Sequence, residues 1–246
     1  MSSRVSSDVV LSSKGYSFIT IVEPFTEPQY SSKKFSDIIP EFSRIELGEE
    51  RLYLHQYEAY LALSSGFNVV LTAGTGSGKT EAWILYVLEK TRSLRDFHAL
   101  ALYPTLALAN DQIKRIEKYT SLLGKQVVQI DSVKKDEIIK KSGLPALRVS
   151  IGASSIIISN PAFILHDLKK YMLKPGSALL APVYSKLDLL VIDELDFYGP
   201  RSLALLLAVI DILSKISDRK LQVVVLSAGI ANPQDLCNYL TSVTSR

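Results

Sequence analysis

Cysteine is almost absent from this sequence. Cys237 is the only one among 246 residues, which excludes an internal disulfide bond and any zinc site with several cysteine ligands. Long apolar runs are lacking as well: residues 203–213 are interrupted by Asp211 and fall short of the roughly 18 to 20 residues that a membrane-spanning helix needs. We therefore expect a buried helix in this segment and no membrane partner.

The first residues lack the compact apolar core and the small-residue cleavage site of a signal peptide, so we expect a cytoplasmic location. A large excess of charge of one sign is also lacking. The net charge of +3 is too small to indicate nucleic-acid binding by itself, although it permits a basic face. With 47% apolar and 22% charged residues, the composition is typical of a globular protein with a full core.

Short apolar or β-branched runs alternate along the chain with helix-length amphipathic segments. The runs are apolar on both faces, as strands covered by helices on both sides must be. This alternation predicts an α/β fold with a mainly parallel sheet, helices on both faces and right-handed crossovers. The predicted strands are 67–72, 98–103, 126–130, 155–159, 187–193 and 221–227, and the predicted helices are 79–93, 106–123, 160–172, 201–216 and 233–240.

Two stretches fit the alternation less well. The N-terminal residues are punctuated by proline and have an extended character, so we predict an N-terminal extension over 1–48 and one nucleotide-binding domain over 49–246. Residues 131–148 form a charged excursion between two strands. We interpret this excursion as a solvated helix or loop, with a dedicated binding patch as the alternative.

A glycine-rich segment, LTAGTGSGKTEAW at 71–83, lies between a predicted strand and a predicted helix. Such a turn directs several backbone N–H groups and the positive end of the helix dipole at one point, which favours an anion. Gly74, Gly76 and Gly78 allow the backbone to approach phosphate oxygens closely. The strict pattern G-x-x-x-x-G-K-[ST] is not met, because Ala73 occupies the first glycine position; a glycine-rich turn without a ligand is the alternative.

Two side chains at the end of this segment complete a nucleotide site. Lys79 can reach the β- and γ-phosphates, and we expect it to be a surface residue whose loss affects binding more than folding. The Thr80 hydroxyl can ligate Mg²⁺. The residues of this segment that we predict to hold ATP are Gly74, Thr75, Gly76, Ser77, Gly78, Lys79, Thr80 and Glu81.

A second acidic site is needed to hold Mg²⁺ and orient water on the other side of the phosphates. The segment VIDEL supplies it at the end of an apolar strand. Asp193 is predicted to emerge at the carboxyl edge of the sheet as the second Mg²⁺ ligand. Glu194 follows and is predicted to polarise the water. Adjacent acids after a strand are otherwise typical of a solvated turn.

The order of these segments resembles the motif series of superfamily 2 DExD/H-box helicases. AGTGSGKTE is followed by PTLALANDQ (104–112), SNPAFILH (159–166), DELD (193–196) and SAG (227–229). The family commonly has alanine at the Ala73 position, and LYLHQYEA (52–59) resembles its Q-motif, which implies that Gln56 reads the adenine edge. The sequences of these motifs are most similar to those of the DNA-repair type of DExH helicase. The resemblance implies a RecA-like ATPase lobe with ATP and Mg²⁺ as cofactors and DNA or RNA as partner.

Two strand ends carry residues that could contact the backbone of a nucleic acid. Pro104 and Thr105 precede one helix, and Ser159, Asn160 and Pro161 precede another. A helix N-terminus with a nearby hydroxyl can take a backbone phosphate without reading sequence. The alternative is that Thr105 and Ser159 are simple helix N-caps.

The sequence departs from the family pattern in three places. Gly229 stands where motif III usually has threonine, so a hydroxyl expected to link the motif II carboxylates to the nucleic-acid side is missing. Leu106 replaces a basic residue that often follows Pro-Thr, and Asp196 replaces the histidine of DEAH-type members. The resemblance also implies a second RecA-like lobe, in the same protein or on a partner chain, that supplies arginines to the phosphates.

Two classes of function remain open from the sequence. The first is the ATP-binding lobe of a nucleic-acid-dependent ATPase or helicase, inactive when isolated. The second is an adaptor or switch that binds nucleotide and nucleic acid without unwinding. A small-molecule kinase is poorly supported, because no arginine-rich lid is present.

Overall fold

The structure, a computed structural model, describes residues 11–17, 27–94 and 96–246. In this part of the chain, the strands form a two-stranded ribbon and a six-stranded sheet. The strands are β1 (Tyr30–Lys34), β2 (Arg51–Tyr53), β3 (Val69–Thr72), β4 (His98–Leu102), β5 (Val127–Gln129), β6 (Ile156–Ser159), β7 (Leu187–Ile192) and β8 (Gln222–Ser227).

Helices connect nearly all successive strands of the large sheet. Short helical turns lie at 35–38, 40–44, 46–49, 175–177, 181–184 and 195–197. The longer helices are α1 (Leu54–Ser64), α2 (Lys79–Ser93), α3 (Leu106–Ser121), α4 (Ser132–Ala153), α5 (Pro161–Leu173), α6 (Pro200–Ile216) and α7 (Pro233–Thr244).

The large sheet is parallel throughout, in the order β3-β8-β7-β4-β6-β5. Its register places Thr72 beside Ser227 and Leu102 beside both Ile192 and Ser159. The carboxyl ends of β3, β8, β7, β4 and β6 therefore meet at one edge. The loops that carry the predicted site residues leave the sheet at this edge, as is general for ligand sites of open parallel sheets.

The core has two layers, one on each face of the sheet. Alternate residues of β4 divide between them: Ala99 and Ala101 face the layer that contains α1, α2 and α3, whereas Leu100 and Leu102 face the layer that contains α4, α5, α6 and α7. This period-two alternation follows from the pleat of a strand. The six strands and the α/β architecture are therefore those that the sequence predicts, with ends shifted by a residue or two.

The N-terminal segment differs from its predicted extended form. Residues 35–49 form helical turns, and Phe35, Ile39 and Phe42 are buried in the layer of α1 to α3. The ring of Phe42 packs edge-on against Tyr119, with 5.3 Å between ring centroids. Phe35, Ile39 and Phe42 are four and three residues apart, which is a helical spacing. The segment is too short for this spacing to predict a helix from the sequence. Earlier parts of the predicted extension, at 1–10 and 18–26, lie outside the described residues.

The charged excursion at 131–148 is helical. The sequence predicted either a helix or a loop for this segment, and the structure has the helix. Asp131 caps α4 by accepting hydrogen bonds from the backbone N–H groups of Val133 and Lys134. Gly143, with φ of 82°, kinks the helix before Pro145. Its second half is buried through Leu147 and Ile151, and the first half is mostly exposed. Across the described ranges, no helix is long and apolar enough to cross a membrane.

The burial of Phe42 yields a stability prediction. Phe42→Ala should lower the free energy of unfolding by about 3 to 5 kcal/mol, as is usual when a buried aromatic ring is removed. Urea unfolding followed by circular dichroism would measure the change. Phe197→Ala, at a ring that is 64% exposed, is the matched control and should change stability by less than about 1 kcal/mol. Equal effects of the two substitutions would contradict the packing of residues 35–48 onto the domain.

Candidate nucleotide and nucleic-acid site

The glycine-rich loop runs from the end of β3 to the start of α2. Gly76 and Gly78 have φ values of 79° and 76°, a left-handed conformation that residues with a Cβ rarely adopt. A Cβ on Gly78 would also collide with Nε2 of Gln56, so a larger residue there would displace the Gln56 side chain. Gly74 and Thr75, between these fixed points and β3, are exposed.

Lys79, the first residue of α2, is buried rather than on the surface as predicted from the sequence, with 6% exposure. Its ammonium group donates hydrogen bonds to the carbonyl oxygens of Ala73 and Gly74, at 2.9 and 3.2 Å. The side chain thus folds back over its own loop. A buried ammonium group satisfied only by neutral carbonyls is well suited to an anionic ligand.

Asp193 follows β7 and is 3% exposed. Its Oδ1 accepts a hydrogen bond from the backbone N–H of Glu194 at 2.8 Å. Burial, and next the negative charge of Glu194, raise the pKa of Asp193 to about 6, while the charge of Lys79 acts in the opposite direction. Glu194 has a φ of 52°, which is strained for a residue other than glycine.

Several buried polar atoms around this pair have no hydrogen-bond partner among the described residues. They are Ser77 Oγ, Tyr103 Oη, Glu194 Oε2 and Tyr198 Oη. Burial and the nearby charge of Asp193 raise the pKa of both tyrosines, so their hydroxyls remain protonated donors. Buried polar groups are normally satisfied, and a phosphate with a hydrated cation would supply acceptors and donors here. The residues present therefore fit a magnesium nucleotide.

Thr80, which is predicted to ligate Mg²⁺ together with Asp193, is 5% exposed. Its hydroxyl donates a hydrogen bond to Oε1 of Gln112 on α3 at 3.3 Å. Sequence reasoning did not single out Gln112, although it lies in the motif PTLALANDQ. Gln112 could not be assigned to the site without knowing that α2 and α3 are in contact.

The carboxylate of Glu81, predicted as a nucleotide contact, is bound by α3. It forms an ion pair with Arg115 and accepts a hydrogen bond from the Tyr119 hydroxyl at 2.9 Å. The carboxyl group is 3% exposed, and burial raises its pKa against the opposing charge of Arg115. Oε1 of Glu81 thus joins the loop end of α2 to α3, whereas Oε2 has no hydrogen-bond partner among the described residues and lies near Gly78 of the glycine-rich loop.

Gln56 lies in α1, directly behind the loop. Its side chain donates to the carbonyl oxygen of Gly78 at 3.0 Å and accepts from the backbone N–H of Tyr53 at 2.9 Å. His55 Nε2 lies 3.0 Å from the carbonyl oxygen of Ser77, and burial lowers the pKa of this imidazole. Gln56 lines a cleft of about 480 Å³ together with Tyr53, Gly76 and Gly78. An amide retains one further donor and one further lone pair, so Gln56 can still contact a base.

The residues predicted for nucleic acid divide into two groups. Thr105 caps α3 by accepting from Leu108 N–H at 3.3 Å, and Asn160 caps α5 by accepting from Phe163 N–H at 2.9 Å. Pro161 is the first residue of α5, and Pro104, just before the cap of α3, is half-buried. Both helix N-termini lie at the carboxyl ends of the paired strands β4 and β6.

Ser159 belongs inside the protein. It is 2% exposed and its hydroxyl donates to the carbonyl oxygen of Ile130 at 2.7 Å. The prediction that this hydroxyl takes a backbone phosphate is therefore wrong, and so is its alternative role as an N-cap, which Asn160 fills. All four residues of β6 are buried, so Ser159 belongs to the covered part of the strand, and the helix N-cap lies one residue later at Asn160.

Motif III contacts motif II through a hydroxyl. Ser227 donates to Oδ1 of Asp196 at 2.9 Å, and the backbone N–H of Ala228 donates to the same oxygen at 3.0 Å. Although burial raises it, these hydrogen bonds hold the pKa of Asp196 below its usual value. A serine two positions before Gly229 thus joins the two segments. The adjacency of β7 and β8 brings them together, which the sequence order alone did not disclose.

A parallel sheet with a glycine-rich loop and lysine after one strand, and an Asp-Glu pair at the same edge after another, defines a P-loop nucleotide-binding protein. More narrowly, the chain belongs to the DEAD/DEAH box helicase family, whose model matches residues 53–236. This assignment confirms the family resemblance and the RecA-like class of fold.

Two relatives are named as ATP-dependent helicases. The chain is 31% identical over 205 residues to the uncharacterized ATP-dependent helicase YprA of Bacillus subtilis (strain 168), covering 81% of this chain and 26% of that protein. It is 28% identical over 194 residues to the uncharacterized ATP-dependent helicase MJ1574 of Methanocaldococcus jannaschii, covering 77% and 27%. The chain thus spans about a quarter of the length of these helicases.

A solved structure shares the fold. The DUF1998 helicase MrfA, bound to DNA and AMPPNP, matches with a TM-score of 0.68 and 25% identity. The match covers 97% of this chain and 33% of MrfA. The described fold, including its N-terminal ribbon, therefore corresponds to one part of a larger helicase.

The raised pKa of Asp193 predicts a pH-dependent stability. Because its folded-state pKa of about 6 exceeds the usual value, the folded chain holds this proton more tightly than the unfolded chain does. The resulting stabilisation is complete below about pH 4 and is lost as the pH rises through about 6. The free energy of unfolding should therefore fall, relative to Asp193→Asn, by about 2 to 3 kcal/mol between pH 4 and pH 7.

Urea unfolding of both proteins across this range measures the difference. Asparagine has nearly the same shape and does not titrate, so it removes only the pH-dependent part. Parallel stability curves for the two proteins would show that Asp193 ionises normally.

Proposed function

We propose that this chain is the ATP-binding lobe of a nucleic-acid-dependent ATPase or helicase that couples ATP hydrolysis to movement on, or unwinding of, DNA or RNA. The observation that carries the proposal is the meeting, at one sheet edge, of the buried Lys79 ammonium group with the buried Asp193 and the half-buried Glu194 beside it. Opposed charges at a phosphate-type loop match the charge distribution of a bound nucleoside triphosphate.

Each residue has a defined task in this proposal. The N–H groups of the loop at 74–78 and the ammonium group of Lys79 bind the phosphates. Thr80 and Asp193 hold Mg²⁺, which neutralises charge on the phosphates when it is bound. Glu194 accepts a proton from the attacking water, and its unpaired Oε2 is available for that hydrogen bond. Gln56 contacts the adenine from α1.

The nucleic-acid contacts are proposed at the N-termini of α3 and α5. Thr105 and Asn160 hold the first turns of these helices, and Pro104 and Pro161 flank the caps. The free backbone N–H groups of such turns bind phosphates without reading bases. The neighbour MrfA is described as bound to DNA, which supports a nucleic-acid partner for this surface.

A second RecA-like lobe completes the site in this proposal. The helicase relatives are about four times longer than the matched region, which leaves room for one. We propose residues 49–246 as the ATP-binding domain, with 1–48 as an extension whose second part packs on it. The adaptor alternative has less support than the sequence suggested, because Ser227 joins Asp196 despite the glycine at 229.

Replacement of Lys79 tests nucleotide binding directly. Lys79→Ala should weaken ADP and ATP binding by at least about tenfold, because it removes a charge-assisted contact worth about 1.5 to 3 kcal/mol. Isothermal titration calorimetry measures the affinity. Lys90→Ala, on the same helix but over the ring of Tyr86, is the control and should bind normally. An unchanged affinity in Lys79→Ala would refute the proposed site.

The 246-residue chain by itself should bind nucleotide yet hydrolyse it slowly. Arginines from a second lobe are worth about 10³ to 10⁵ in turnover, and their loss should outweigh any defect from Gly229. A steady-state ATPase assay with and without single-stranded DNA or RNA measures this. Glu194→Gln reports contaminating activity, since turnover that survives the substitution does not come from this site. Robust turnover that nucleic acid stimulates and Glu194→Gln abolishes would contradict the need for a second lobe.

A further inference from the structure

Helix α3 contacts the phosphate-loop end of α2 through one continuous face. Gln112, Arg115 and Tyr119 are spaced by three and four residues, which places them on the same side of a helix. Gln112 accepts a hydrogen bond from Thr80, and Arg115 and Tyr119 bind Glu81. Two consecutive residues of α2 are therefore both tied to α3.

The bond between Thr80 and Gln112 decides the orientation of the Thr80 hydroxyl. A hydroxyl has one hydrogen to donate and two lone pairs. With its hydrogen directed at Oε1 of Gln112, the lone pairs of Thr80 are free for a cation. Oδ1 of Asp193 accepts a hydrogen bond from the backbone N–H of Glu194, which still leaves lone pairs on both carboxylate oxygens for the same cation.

We propose that Gln112 is a positioning residue for the magnesium nucleotide: its amide oxygen fixes the Thr80 hydroxyl in the orientation that ligates the metal. This inference rests on the proposed function. The ion pair of Glu81 with Arg115 holds α3 at the distance that this requires. Because Thr105 caps α3 about two helical turns before Gln112, the same helix carries a metal-positioning contact and a proposed nucleic-acid contact.

The expected effect is specific to the metal. Loss of an outer partner of a metal ligand typically costs about 10- to 100-fold in metal affinity; the bond of 3.3 Å places Gln112 at the lower end. Gln112→Leu should therefore reduce the Mg²⁺-dependent gain in ADP affinity by about tenfold. The affinity for ADP in EDTA should stay at the wild-type value, because the N–H groups of the loop and Lys79 are unchanged.

Isothermal titration calorimetry of the 246-residue chain with ADP, in Mg²⁺ and in EDTA, measures the gain. Gln112→Glu keeps an acceptor oxygen and should retain it. Asn110→Leu removes the bond of α3 to Gln129, on the same helix but away from the loop, and should leave both affinities unchanged. Fluorescence of Trp83, the only tryptophan and buried in α2, reports whether that helix remains packed.

An unaltered Mg²⁺ gain in Gln112→Leu would overturn the proposal, as would an equal loss of affinity with and without Mg²⁺, which indicates a structural role. A lost gain in Gln112→Glu would overturn it too. If the wild-type chain binds no ADP under either condition, the proposed nucleotide site itself fails. If it binds ADP with a Mg²⁺ gain that Gln112→Leu leaves intact, only the role of Gln112 fails.

Discussion

Burial of charge at the carboxyl edge of the sheet is the constraint on which the rest of the structure depends. Lys79, Glu81 and Asp193 are 6%, 2% and 3% exposed, and an isolated ion in such a position is costly. Lys79 is bound by carbonyls of its own loop and Asp193 by the N–H of the next residue, whereas Glu81 is bound by α3. The charge of Glu81 therefore has its partners only when α3 is packed against α2.

The strand order explains how the separate motifs become one site. β8 lies between β3 and β7, so Ser227 at its end is within reach of Asp196, which follows β7. On the other side of β7, β4 leads to Thr105, the cap of α3. Neighbouring strands thus connect motif III, the turn after β7 and the N-terminus of α3, where we propose nucleic-acid contacts, and Ser227 joins motif III to Asp196 although Gly229 has no hydroxyl.

The alternation of apolar runs predicted all six strands of the large sheet, because strands buried on both faces carry an unambiguous signal. The glycine-rich loop and the Asp-Glu pair could be predicted for a different reason, because each consists of residues that are adjacent in the sequence. What sequence reasoning missed depends on which way a side chain points. Ser159 faces inward and Lys79 is covered, and Gln112 became relevant only when α3 was packed against α2. The helical turns at 35–49 were not predicted, because each is too short to show the repeating pattern of apolar residues that identifies a helix.

Several features of the site lower the stability of the folded chain, and they lie close together. Glu194 has a left-handed backbone, which costs of order 1 to 3 kcal/mol, and Asp193 beside it is a buried carboxyl with a raised pKa. Ser77, Tyr103 and Tyr198 add buried hydroxyls without partners in the described structure. An apolar or neutral ligand would relieve none of these costs. A phosphate with a divalent cation would relieve several of them together, since it would pair with the ammonium group and the carboxylates and accept hydrogen bonds from the hydroxyls. A ligand that binds only the folded chain in this way would stabilise it, by an amount set by its affinity and concentration.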